Sequence, residues 1–118
     1  MMKWPENTTF EDSTLRAVRS APGTLMMEFE DVFSNRTKAS FEVIFEGVHD
    51  LTEDDSPCQE LTMEMPDAEV LTFEEMDGWI DLIVLWRDYR KHLSSTKAYR
   101  FRSKTGRFRL LPPAQAGV

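Results

Sequence analysis

The chain has 118 residues, 41% hydrophobic and 30% charged, with a formal charge of −7, one cysteine and 8 Phe, 3 Trp and 2 Tyr. That length supports one core rather than two, and the aromatic content supplies the burial that a disordered chain lacks. A lone cysteine argues against a secreted disulfide scaffold, and no apolar run approaches the roughly 18 residues of a membrane span, so a cytoplasmic protein is expected.

Near the start, "STLRAVRS" before "APG" predicts a first strand that turns at Pro22-Gly23, a short helix capped by Asp12 or Ser13 being the competing reading. "GTLMMEFEDVF" alternates, with Leu25, Met27 and Phe29 on one side and Glu28 and Glu30 on the other, the period of a half-buried strand. "SNRTK" supplies turn chemistry, and "FEVIFEGV" alternates again, so the two runs predict a hairpin. "HDLTEDDSP" reads as a solvated acidic loop. "CQELTMEM" and "AEVLTFEEM", on either side of Pro66-Asp67, read as two short strands or one interrupted edge strand. The apolar run within "GWIDLIVLWRDY" predicts a central strand, with a buried helix over 76–93 as its rival.

The last stretch, "YRFRSKTGRFRL", predicts a hairpin looped at Ser103 to Gly106, with Arg102 facing Arg107 and Arg100 facing Arg109. All four arginines then share one surface, and like charges in register call for carboxylates nearby. The fold class expected is mainly β or α+β: a single antiparallel sheet domain over residues 1–111, sandwich or partly closed barrel, with at most one or two short helices. Residues 112–118 are expected to form a flexible tail. The predicted core holds Leu25, Met27, Phe29, Phe41, Val43, Phe45, Leu82, Trp86, Tyr99, Phe101, Phe108 and Leu110.

Charge is segregated along the chain. Residues 26–78 carry 16 carboxylates against Arg36 and Lys38, a net of −14, whereas from Trp79 onward nine basic residues face only Asp81 and Asp88, a net of +7. The acidic block invites a basic protein partner, met through Glu53, Asp54, Asp55, Glu74 and Glu75, with electrostatic steering of the encounter. The alternative is binding of nucleic acid or another anion through Arg100, Arg102, Arg107 and Arg109, which the net charge opposes. Outward Met26, Ile44, Ile83 and Leu85 offer a patch for a partner or a homodimer.

Catalytic motifs are missing from the sequence. His49 and His92 show no metal-ligand spacing, no phosphate-cradling glycine loop or nucleophile elbow occurs, and neither a cofactor nor a metal is expected. A metal or catalytic site around His49, Asp50 and Glu53 is the third reading, which the acidic run leaves open.

The succession "FEDSTLRAV", "GTLMMEFEDV", "FEVIFEGV", "LWRDY" and "KAYRFRS" resembles small β-rich bacterial proteins, among them immunity proteins that neutralise polymorphic or contact-dependent toxins. The resemblance implies a cytoplasmic inhibitor that binds a toxin domain, itself basic here, without chemistry of its own. It sets no binding positions on this chain.

Overall fold

A computed structural model describes residues 3–112. Ten strands form one antiparallel sheet: β1 (Thr8–Thr9), β2 (Thr14–Ala21), β3 (Thr24–Ser34), β4 (Thr37–Glu46), β5 (His49–Glu53), β6 (Ser56–Pro57), β7 (Asp67–Met76), β8 (Trp79–Asp88), β9 (Leu93–Arg102) and β10 (Thr105–Leu111). There is no helix among the described residues, so 76–93 is the β7–β8–β9 meander and not a coil of helical pitch. The strand order is β10-β4-β3-β2-β7-β8-β9-β5-β6, with β1 attached to β3.

Turn chemistry sets the local hairpins. Gly23 takes a φ of 74° after Pro22, closing β2 onto β3. Asn35-Arg36, Asp54-Asp55 and Asp77-Gly78 each place both central residues at positive φ, between 49° and 81°. These mirror-image turns match the right-handed twist of the flanking strands.

The sheet folds over upon itself. Between β2 and β7 the ladder shrinks to one pair, Thr14 with Glu69, reinforced by Asp12 N–H to Val70 O and Val70 N–H to Ser13 O, both 2.8 Å. About this corner the half β10-β4-β3-β2 turns its apolar face toward the half β7-β8-β9-β5. Phe29 on β3 stacks on Phe73 of β7 at 4.9 Å, and Phe45 on β4 meets Phe101 of β9 edge to face at 5.0 Å. Trp4 and Phe10 close one end of this aromatic layer, packing on Phe73 at 4.9 and 5.1 Å.

Three local expectations are corrected. "HDLTEDDSP" is the β5–β6 hairpin, because Asp54 and Asp55 accept the positive φ of its tight turn and β5 pairs with β9. "CQELTMEM" makes no strand: bracketed by Pro57 and Pro66, it crosses the sandwich end, burying Leu61 with Met63 and Met65 against the core, and Ser20 Oγ–H donates to Leu61 O at 2.9 Å. The arginine hairpin does not exist. From Arg102 the chain crosses to the opposite half, where Lys104 N–H donates to Glu46 O at 2.9 Å and β10 pairs with β4.

Ten of the twelve predicted core side chains are buried, and Phe108 packs partly against them. Leu110 is 63% exposed although it shares the register of Phe108, since it lies near the end of β10, the edge strand that has a neighbour on one side only among the described residues. The predicted tail falls, beyond Pro112, outside the described residues. Phe45, fully buried between both halves, should lose about 3–5 kcal/mol of stability on replacement by alanine, whereas Leu110→Ala should stay within about 0.5 kcal/mol. Denaturant unfolding of both variants checks this, and equal losses would refute the register.

Candidate functional site

Burying one face of each half leaves two outer faces that point away from each other. On the β10-β4-β3-β2 half, the outward register pairs charges across strands: Arg109 with Glu42 at 3.1 Å, Arg107 with Glu46 at 3.5 Å and Arg16 with Glu30 at 3.0 Å. Glu42 is itself nearly buried, so its partner is needed to offset desolvation. Met26 and Ile44 are half-buried among these ion pairs, not a bare apolar patch.

The β7-β8-β9-β5 half is arranged differently. Its outward register holds Thr72 and Glu74 on β7, Trp79, Asp81, Ile83 and Leu85 on β8, and Ala98, Arg100 and Arg102 on β9. A shallow groove of about 330 Å³ runs over this face, lined by Asp55, Thr72, Glu74, Asp81, Ile83 and Arg100 among others. Arg100 pairs with Asp81 at 3.2 Å, whereas neither Asp55 nor Glu74 has an ion-pair partner among the described residues. At one end the guanidiniums of Arg100 and Arg102 lie 4.6 and 4.2 Å from the centroid of Trp79.

Of the five predicted partner-binding carboxylates, the groove gathers two, Asp55 and Glu74. Asp54 is committed to the fold, its Oδ1 accepting the Ala98 N–H at 2.8 Å. Glu53 sits opposite buried Tyr99 and pairs with Lys97 at 3.7 Å. Glu75 pairs with buried Ile80 and so points away from Glu74, as alternation along one strand requires. The four arginines are likewise divided, Arg100 and Arg102 on one half and Arg107 and Arg109 on the other, so their shared surface is corrected to two separate ones.

His49 Nδ1–H donates to Gly47 O at 2.8 Å, and Asp50 occupies the β5 bulge at a φ of 55°. With Glu53 they form no ligand set: among the described residues no three His, Cys, Asp or Glu side chains converge to hold a metal ion. Trp79 and Asp81 were missed as site residues, although their alternation with Ile80, Leu82, Val84 and Trp86 marks them as outward.

Beneath the groove lies a polar cluster. The Trp86 indole N–H donates to the Tyr99 hydroxyl at 3.1 Å, both residues being buried. Burial pushes the Tyr99 phenol well above its usual range, and the negative charges of Glu64 and Glu53 push the same way, while the bond from Trp86 acts against them. Glu64 is raised by partial desolvation and by the neighbouring Glu53 carboxyl. Cys58 is raised by burial and by Glu53, which makes its thiol a poor nucleophile.

No helix among the described residues is long and apolar enough to cross a membrane. Comparison with protein-family models, with curated proteins and with solved structures finds no match to this chain.

The Tyr99 environment makes a pH prediction. An unfolded phenol loses its proton near about pH 10, whereas folded Tyr99 keeps it to higher pH, so its contribution to stability is intact below that value and is lost as pH rises beyond it. Stability measured by denaturant between pH 9 and 11 should therefore fall more steeply for the parent than for Tyr99→Phe. Parallel slopes would refute the shift.

Proposed function

We propose that the chain is a non-enzymatic protein-binding module of the inhibitor or immunity type, docking a basic partner on the outer face of the β7-β8-β9-β5 half. The observation that carries this reading is the groove itself: Asp55 and Glu74 stand without ion-pair partners on its rim, and half-buried Ile83 lies between them. Carboxylates free of internal pairing can meet an incoming lysine or arginine without first giving up an ion pair within the molecule, and they steer its approach. An apolar strip within a charged rim is also the anatomy of an interface. The molecule's two longer dimensions, 41 and 37 Å, leave room for the roughly 800 Å² per partner of a standard complex.

Among the described residues, the imidazoles and the thiol stand apart from the groove to which binding is assigned. His49 is exposed on β5, His92 is exposed in the β8–β9 loop, and the Cys58 thiol is held protonated. Binding of nucleic acid through all four arginines is disfavoured, since Arg107 and Arg109 are already paired with Glu46 and Glu42 on the far face.

A photo-crosslinking side chain introduced in place of Ile83 should capture a basic protein in native cell extract. Capture should weaken with added salt and disappear in the Asp55→Lys, Glu74→Lys double variant. The same probe in place of Ile44, on the opposite half, should capture nothing. Adducts at Ile44 alone, or adducts at Ile83 indifferent to charge reversal, would overturn the proposal.

A further inference from the structure

Strands β8, β9 and β10 carry six basic side chains, and five have a carboxylate within ion-pair distance. Arg87 meets Glu69 at 3.1 Å, Lys97 meets Glu53 at 3.7 Å and Arg100 meets Asp81 at 3.2 Å; Arg107 and Arg109 meet Glu46 and Glu42. Arg102 alone has none among the described residues. Shortage is not the reason, because the chain has 21 carboxylates for 14 lysines and arginines. Placement is. Arg102 instead lies over Trp79, its guanidinium 4.2 Å from the ring centroid, with that of Arg100 at 4.6 Å from the same ring.

We propose that Arg102 and Arg100, braced on Trp79, form an oxyanion-binding site that takes a carboxylate or phosphate group of a ligand. Three features carry it. A guanidinium resting on an indole uses its flat face for the cation–π contact and keeps the N–H edge free, so stacking and bidentate hydrogen bonding to an oxyanion do not compete. Trp79 also restrains two flexible side chains, lowering the ordering cost that a ligand would otherwise meet. Two guanidiniums gathered on one ring repel each other, and an oxyanion between them relieves that repulsion while Asp81 satisfies Arg100 alone. Arg102 is exposed, so its edge is open to solvent, and His49, opposite it on β5, adds a ring to the same rim with its Nδ1 tied to Gly47 O.

This site uses side chains separate from Asp55 and Glu74, so it stands or falls apart from the carboxylate rim. The test is a titration of the full chain, followed by the arginine Nε–H and indole N–H resonances in nitrogen-15 correlated NMR spectra. One arm uses inorganic phosphate and another a short Glu-rich peptide, each at constant ionic strength. Saturable shifts at Arg100, Arg102 and Trp79 are expected in at least one arm, and the tighter arm identifies the source of the oxyanion. Arg102→Ala should weaken that affinity by about tenfold or more, as loss of a charge-assisted hydrogen bond requires. Arg102→Lys, which lacks the fork, should restore only part of it, and Arg107→Ala on the far half should leave it unchanged. Unsaturable shifts shared equally by Arg107 and Arg109, or an Arg102→Ala variant that folds and binds as the parent does, would overturn the assignment.

Discussion

Strands that are apolar on one side only must bury that side, and with no helix among the described residues to cover it, this sheet can bury it only against itself. Phe73 shows how the constraint is met. Its ring stands on β7, one strand past the corner, and contacts Phe29 at 4.9 Å, Trp4 at 4.9 Å, Phe10 at 5.1 Å and Phe45 at 6.2 Å. Residues far apart along the chain are thereby held in one aromatic layer, and edge-to-face geometry fixes their orientation as well as their burial. The bulges in β2, β3, β5 and β7 supply the extra bend that such a fold-over needs. Everything outward follows: two charged faces, back to back, neither able to share a ligand with the other.

The crossing from β9 to β10 is the second consequence, and charge explains its direction. Had the last two strands paired as a hairpin, Arg100 and Arg102 would have opposed Arg109 and Arg107, at some tenths of a kcal/mol for each like-charged pair. Joining β4 instead sets Arg109 opposite Glu42 and brings Arg107 to Glu46, while Phe108 reaches the aromatic layer beside Trp4 at 4.9 Å. Exposed pairs contribute little by themselves, about 0–1 kcal/mol. The Glu42 carboxylate is different, because its side chain is only 11% exposed and it lies across from Glu28 as well. The segregation of charge along the sequence is therefore resolved by topology: the basic end folds back over part of the acidic middle.

What could be read beforehand follows the range of the interaction responsible. The two-residue rhythm of Leu25, Met27 and Phe29, or of Phe41, Val43 and Phe45, is local, and it located these strands and their inward faces. Pro22-Gly23 announced its turn for the same reason. The β5–β6 hairpin was hidden because Asp54 is held by the backbone of Ala98, which lies 44 residues away. Likewise the destination of β10 depends on β4, a partner that no short window contains. Within the site, the split between Glu74 and Glu75 was available from alternation alone, whereas the meeting of Asp55 with Glu74 required the order β7-β8-β9-β5. Trp79 belonged neither to the predicted core nor to the predicted site, and its outward place is set by the alternation that buries Ile80 and Leu82.

An open sheet also has two edges to protect, and here both are blunted. On one side β6 is two residues long and ends on Pro57, which has no N–H to offer a neighbour. On the other, β10 is seven residues long and pairs only with β4 among the described residues, the kind of edge that recruits a second copy. Antiparallel pairing of two such edges centred on Phe108 would set Arg107 of one copy against Arg109 of the other, and Pro112 ends the strand soon after. Both arginines thus serve twice: inward across the ladder they neutralise Glu46 and Glu42, and outward they oppose self-pairing. With its edges guarded in this way, the molecule presents its faces for recognition, and on that of the β7-β8-β9-β5 half the unpaired carboxylates of Asp55 and Glu74 and the Arg102 guanidinium over Trp79 are gathered on one surface.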